Sequence, residues 1–518
     1  MIVGAIVASV AAAVSAAEIE ERPLVLDWTL PKKYAKLEGN ILRIKVPEAE
    51  SNGTFVAQAK FPMAPYLGQE LELSVKCRGK GIRKAAVHWW GAKLEMSYKD
   101  VRSGKMLFPQ CRMPWGDFDG TYRIIAPLYG RETQEAGLCL GLTKTFGEIE
   151  FDLSTLRISA NRKRYPPKNV GLKASYSDLV RKMPRQRGMQ IGALLTEKDL
   201  DVLKSWGVNM FHYQLGHAGA PEPGYDEATA TQEARIAKYV RDRRKTLDHL
   251  LKVTLPWARR NGVRICPVDA FYTGKILENE DAYQAYKKNW IEVATRLKGN
   301  EDVIYAYNIY GEPIEPPERL HGYLEMQEDI ARAVRAVDPV TPITIQANEM
   351  DAASAFNYLN AVDMKDVIYE VHFYEPMSYT HQLVGAGRQR MLGYPQPAAN
   401  GFPAVDKEFL RKALEPVRRF QLEHGCRIFV GEFSAVIWAK GAAQYLEDAI
   451  SLFEEYGWDW NYHAFREATL WSVEMEGSDY SHRWPAKGET DRKKVLLKYL
   501  KRNATPTAAD FGGVGAAE

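Results

Sequence analysis

Little in this chain of 518 residues is concentrated enough to suggest a function by composition alone. Cysteine is scarce: there are 5, at Cys77, Cys111, Cys139, Cys266 and Cys426, with no CxxC pair, which excludes a dense disulfide framework and a zinc ribbon. Charge of one sign is also lacking, since 69 Lys and Arg nearly balance 66 Asp and Glu for a net charge of +3. Without a large field of one sign, neither nucleic acid nor an anionic membrane is implied as a partner. The opening apolar segment is too short to span a bilayer and stay, and no other run looks transmembrane. HExxH, a glycine-rich phosphate loop and a GxSxG elbow are absent, and His212 and His217 have no acidic cluster beside them. Chemistry without a cofactor or bound metal is therefore expected, and the oligomeric state is left open.

The chain opens on MIVGAIVASVAAAVSAAE, a short apolar stretch with small residues at Ser15, Ala16 and Ala17. Residues 1–17 read as a secretory signal, although no Lys or Arg precedes the apolar part, and a secreted or periplasmic location is expected. One disulfide among Cys77, Cys111 and Cys139 would be compatible with export; Cys266 and Cys426 fall in apolar runs and are expected as buried thiols.

Residues 24–160 alternate short β-rich runs with Gly and Pro turns: ILRIKV, TFVAQAKF, LELSVKC, AAVHWW, TYRIIAPLY, AGLCLGL and EIEFDLSTLRI. That pattern predicts an antiparallel, jelly-roll-like β-sandwich resembling a carbohydrate-binding module. Trp89, Trp90 and Trp115 are its candidate sugar contacts, although HWW within a strand would put neighbours on opposite faces. A basic stretch with prolines, NRKRYPPKN, opens a linker over 161–184. From 185 to 503 apolar runs alternate with amphipathic helical stretches. Strand candidates fall at 189–195, 208–215, 263–271, 303–310, 343–347, 367–374, 427–433 and 458–465, which predicts an α/β fold, a (β/α)8 TIM barrel. The tail, 504–518, is small and polar and is expected to be disordered.

Two acids punctuate the barrel. Glu312 follows the fourth run in VIYAYNIYGEP, and Glu432 lies at the end of the seventh in CRIFVGEFS. Catalytic residues of such barrels lie where strands finish, so side chains far apart in sequence can converge on one mouth. Two carboxyls across a sugar-sized gap are the minimal equipment for breaking a glycosidic bond. A single Glu at such a place is more often a loop residue or a helix cap, so the pair carries the reading.

NxxxEP after strand four and GEF on strand seven resemble glycoside hydrolase family 5, the cellulase-like barrel glycosidases of the large retaining clan. RGMQIGALL, WGVNMFHYQL, VHFYEPMSYTHQ and WDWNYHAF are similar to that family's first, second, sixth and eighth strands. The resemblance covers the barrel and not the sandwich. It implies a retaining β-glycoside hydrolase, endoglucanase- or mannanase-like, with Glu312 as acid/base and Glu432 as nucleophile, acting on β-glucan or β-mannan. His372 and Tyr374 match the family's HxY and would line the catalytic centre, where a Tyr hydroxyl donating to a carboxylate holds it ionised.

Two departures stand out. Gly311 replaces the family's usual Asn, a partner of the sugar 2-hydroxyl, a task for which Asn308 or Asn348 is the candidate; His212 replaces an Arg common near the nucleophile. Histidine carries charge only below about pH 6.5. Together the two changes motivate a competing expectation, a catalytically weak or inactive barrel that binds carbohydrate. Tyr310, Trp438, Trp460 and Trp471 are candidate sugar platforms, with Trp438 and Trp460 preferred. His463, Arg466 and Glu467 either reach the cleft or form a structural ion pair.

Overall fold

The structure, a computed structural model, describes residues 19–511 apart from 64–65, 67–69, 88, 100–105, 112, 128–134, 162–167, 216–229, 270–272, 317–318, 385–391 and 399–403. The signal expected over 1–17 lies outside the described residues. The chain divides into two compact units, Met1–Lys168 and Asn169–Glu518.

In the first unit, alternation decides the architecture. Ile41–Val46 buries Leu42, Ile44 and Val46, and Thr54–Pro62 buries Ala57, Ala59 and Phe61, so each strand offers one apolar face. One antiparallel sheet runs Ala35–Glu38, Ile41–Val46, Gly147–Asn161, Glu70–Ile82, Gly116–Pro127, with Ile19–Pro23 also paired to Gly147–Asn161. The second runs Trp28–Thr29, Thr54–Pro62, Glu135–Thr143, Gly91–Lys99, Met106–Leu107. Residues of both sheets meet in one core that includes Leu42, Phe61, Leu73, Leu94, Leu140 and Phe151, which makes this unit the expected β-sandwich.

The described residues of the AAVHWW run, 85–87 and 89–90, are not in a strand. The ladder begins at Gly91, and Gly91–Lys99 pairs on both sides although it carries Lys93 and Glu95, which bond each other. All five cysteines are free; Cys266 and Cys426 are fully buried, and burial pushes the Cys77 thiol up to about 12.

The second unit is a closed barrel of eight parallel strands in sequence order. They are Arg187–Ile191, Met210–Gln214, Arg264–Val268, Tyr307–Asn308, Ile343–Gln346, Val367–Phe373, Ile428–Phe433 and Asp459–Phe465, one in each expected run. The fourth is the shortest, helped by a bridge between Ile304 and Ile265. Amphipathic helices cover the outside and start on local caps: Thr196 and Asp199 bond each other's backbone at the head of Glu197–Trp206, and Gly207, at φ 90°, ends it against Leu500. Among the described residues no helix is long and apolar enough to cross a membrane.

Where the strands begin, the barrel is closed by buried ions. Arg427 grips Asp459 through Nε and Nη2 at 2.6 and 2.9 Å, and Tyr305 donates to the same carboxylate at 2.7 Å. Much of the expected linker belongs to this floor: Asn169 Nδ2 donates to Ala361 O, and Tyr176 OH to Val367 O, so the barrel unit starts at Asn169 rather than at 185.

Residues 504–511 are ordered, against the expectation of disorder there, and the rest of the expected tail, 512–518, lies outside the described residues. Lys501–Ala504 and Ala508–Asp510 are 3-10 turns, Arg185 N donates to Asp510 O at 2.6 Å, and Arg187 Nη2 to Asp510 Oδ1 at 2.6 Å. The segment is held by these bonds to Asp510 and by the local turn that Thr507 and Asp510 close. Truncation after Asn503 is expected to destabilise the barrel by about 1–3 kcal/mol, because Arg187 loses one of its two carboxylates. A thermal melt unchanged by the truncation would contradict this account of the tail.

Candidate active site

Glu312 and Glu432 meet at the end of the barrel where the strands finish. Glu432 is the penultimate residue of the seventh strand, and the ladder pairs it with His372 of the sixth, just past a register shift at Val371. Glu312 lies beyond the fourth strand at φ 51°, a left-handed conformation that costs a side-chain-bearing residue on the order of 1 kcal/mol. Two bonds hold that loop: Glu312 N donates to Gln346 Oε1 at 2.6 Å, and Gly311 N to Asp269 O at 2.9 Å. The Glu312 side chain is 38% exposed and that of Glu432 11%, so one faces the cleft while the other is sunk in its wall.

His372 bridges the pair. Its Nδ1 lies 3.0 Å from Glu312 Oε1 and 3.7 Å from Glu432 Oε2, and a ligating atom of each of the three residues lies within 4.8 Å of the others. Tyr374 OH donates to Glu432 Oε2 at 2.9 Å, while His463 Nδ1 is 2.8 Å from that hydroxyl and 3.5 Å from the same carboxylate. Glu467 anchors the far side of His463 at 2.9 Å. Burial alone would raise the Glu432 carboxyl, but the charges of His463 and His372 and the Tyr374 bond outweigh it and hold it below the ordinary carboxylate value. Both imidazoles answer in kind: burial opposes their charge, yet Glu432 above all carries His372 well above, and His463 above, the usual histidine value.

A buried polar layer lies below, drawn from strands one, two, four, five and six. His212 Nδ1 is 3.0 Å from Gln190 Oε1, and Asn308 Nδ2 is 3.0 Å from His212 Nε2. Asn308 Nδ2 also donates to Glu370 Oε2 at 2.5 Å, and Gln346 Nε2 to Asn308 Oδ1 at 3.2 Å. Burial lowers His212 to about 4, so near neutral pH it is an uncharged ring that donates to Gln190 and accepts from Asn308. It therefore does not replace the missing Arg as a cation; His372 and His463 occupy that role beside Glu432. Nor does Asn308 have an amide hydrogen left over for a sugar hydroxyl, because it is wholly buried and both hydrogens are used inside the barrel. Asn348, 3% exposed, accepts from Glu315 N.

The aromatic candidates fare unevenly. Trp460 and Tyr310 have no exposed surface; the Trp460 indole donates outwards to Glu454 on a flanking helix, and Tyr310 packs against Tyr286, so neither is a platform. The cause is strand alternation, which turns Trp460 away from the barrel axis. Trp438, 7% exposed, donates to Gln382 O and forms wall rather than surface. Trp471 packs at a tilt on Tyr374 and edge-on to His381, with ring centres 5.9 and 4.7 Å apart, backing the centre. Sequence reading missed Trp484, 45% exposed on a hairpin (Met475–Gly477 with Arg483–Pro485) beyond strand eight. Arg466 pairs on the surface with Asp199 and Glu474, so only His463 and Glu467 of that trio reach the centre. Glu370 was missed too, although it stands two residues before His372 on the sixth strand and so shares its face, with Tyr374 just past the strand's end.

Two groups, Glu312 with His372 and Glu432, and Asp351 with Glu370 and His372, have the ligand types of a cation site. Both nitrogens of His372 already face carboxylates, Nδ1 to Glu312 and Nε2 to Glu370, and a ring driven towards its protonated form is a poor metal ligand. The donor set suits a network that shares protons.

Comparison with known proteins bears on the same region. The model of the cellulase family (glycosyl hydrolase family 5) matches residues 179–468. Endoglucanase C of Acetivibrio thermocellus is 23% identical over 303 residues, 52% of this chain and 84% of that protein. Among solved structures, an endoglucanase of the hyperthermophilic Thermotoga maritima is similar at a TM-score of 0.46 and 19% identity, covering 62% of this chain and 99% of its own. With the matched segment spanning the barrel and both of its convergent glutamates, the chain belongs to glycosyl hydrolase family 5 and is a glycoside hydrolase.

Proposed function

We propose that the protein is a retaining β-glycosidase acting on β-linked glucan or mannan, with Glu432 as nucleophile and Glu312 as acid/base. The observation that carries this reading is the separation of the two carboxylates, whose oxygens approach within 4.8 Å. That suits the roughly 5 Å gap of retaining enzymes and not the roughly 6.5–9.5 Å that inverting enzymes keep for a water. In the first step a Glu432 oxygen bonds to the anomeric carbon, the bond to the leaving oxygen breaks, and that oxygen takes a proton from Glu312. In the second, Glu312 takes a proton from water, the water oxygen bonds to the same carbon, and Glu432 leaves as a carboxylate. Tyr374 and the two flanking imidazoles, which hold Glu432 ionised, support the division of labour. The curated relatives are named endoglucanases, which favours β-glucan.

Followed by NMR, the first product is expected to keep the β configuration, and an α product formed first would overturn the mechanism. A fluorinated glycoside should become bonded to Glu432. Glycan binding without turnover would point to the binding-only barrel that Gly311 raises.

For the sandwich we propose glycan binding at a cleft of about 470 Å³ lined by Lys84, Trp90, Gln110, Met113 and Trp115. Trp115 is 60% exposed with Lys84 Nζ 4.6 Å from its ring centre, so a flat apolar ring and a hydroxyl-seeking cation stand together. Trp115→Ala in the full chain should lower retention on insoluble polysaccharide about tenfold, as for a central aromatic anchor, and leave soluble substrates unaffected. Unaltered retention would remove this role.

A further inference from the structure

Beneath His372 lies a third carboxylate that neither chemical step uses. Glu370 is wholly buried on the sixth strand, with Oε1 3.3 Å from His372 Nε2 and Oε2 bonded to Asn308. The neighbouring strand makes room for it: a Cβ at Gly431 would come within 1.9 Å of Glu370 Oε1. A buried carboxylate without a positive partner is strongly destabilising, so the groups around it decide what it does. Those facing it are His212 from the second strand, Cys266 from the third, Asp351 from the turn after the fifth, and His372 on its own strand. Burial keeps His212 uncharged, the Cys266 thiol protonated and the Asp351 carboxyl raised well above its usual value. His372, which also faces Glu312, Glu432 and Asp351, is the one group among them able to supply a cation.

We propose that Glu370 is a positioning residue that locks His372 as a doubly protonated imidazolium, with its second N–H directed at Glu312. The proposal rests on the retaining reading above and explains how the barrel works without the Arg of strand two. During glycosylation the negative charge leaves Glu432, which becomes an ester, and appears on Glu312, which has given up its proton. An imidazolium 3.7 Å from the first oxygen and 3.0 Å from the second touches both ends of that transfer. A fixed charge aimed at where charge develops lowers the barrier without reorganising. Glu370 keeps the ring charged and stops it turning, and Asn308 keeps Glu370 in place.

Nitrogen-15 NMR of the His372 ring in the unliganded protein at neutral pH tests this directly. Two protonated ring nitrogens are expected, and a neutral ring overturns the proposal. Glu370→Gln keeps the size and the acceptor for Asn308 but removes the charge. The His372 ring should then be neutral near pH 7, kcat lower by about 10–100-fold with KM nearly unchanged, and the alkaline limb of the kcat profile displaced to lower pH. A merely structural residue would lower kcat with the limb and ring protonation unmoved, which would equally overturn it. Should the variant not fold, the wild-type ring measurement still decides. That measurement needs no substrate, so it is independent of the one outcome that defeats the hydrolase reading itself, a wild-type protein with no turnover on any β-glycan.

Discussion

Glu432→Ala is expected to lower kcat by about 10⁴-fold or more, equivalent to about 5.5 kcal/mol of barrier. The side chain removed is the one with the most support: Tyr374 OH at 2.9 Å, His463 at 3.5 Å and His372 at 3.7 Å all address the same oxygen. In the proposed mechanism those groups position and charge the nucleophile, and without it they have nothing to act on. Azide admitted to the vacated space should restore part of the rate and yield an α-glycosyl azide, because it attacks from the face that Glu432 occupied. A variant that hydrolyses polysaccharide at near wild-type rate would remove Glu432 from the chemistry. The same cluster fixes the pH response. Because the folded Glu432 carboxyl is held below its ordinary value, its ionised form persists as pH falls, and the acid limb of kcat/KM should lie below that of an ordinary glutamate. Tyr374→Phe, which removes one of the forces that depress it, should move that limb to higher pH.

Glu312→Gln is expected to cost about 10²–10⁴-fold with a polysaccharide, whose leaving oxygen needs a proton, and far less with a dinitrophenyl glycoside, whose leaving group does not. With the activated substrate the first step runs, the second lacks its base, and glycosyl-enzyme accumulates as a burst. Equal losses on both substrates would show that Glu312 serves some purpose other than proton transfer. The amide is isosteric, and the backbone bonds that hold position 312 at φ 51°, from its own N–H and from that of Gly311, do not involve the side chain. A folding defect is therefore not the expected cause of the loss.

How far the sequence reached depended on whether the signal was local. Each of the eight barrel strands was readable, because strands buried on both faces are written as unbroken apolar runs, and Glu312 and Glu432 stood out as acids at the ends of two of them. The pairing of His372 with Glu432 was within reach for the same reason of place. Direction was harder. Trp460 is as aromatic as any platform, but which face of strand eight it takes depends on a pleat that the run DWNYHAF does not declare. Charge state was harder still: His212 looked like a weakened arginine, and only the surrounding Gln190 and Asn308 make it a neutral acceptor. In the sandwich, AAVHWW read as a strand by its β-prone residues, yet the ladder lies in the next stretch, GAKLEMSYK, whose neighbours pair with it on both edges.

The ordered C-terminal segment has a practical consequence. Asp510 is tied to Arg187, which opens the first barrel strand, and to Arg185 just before it, so this segment lies at the pole opposite Glu312 and Glu432. A fluorophore attached at Phe511, 45% exposed, would therefore report on the floor of the barrel without touching the residues around Glu312 and Glu432.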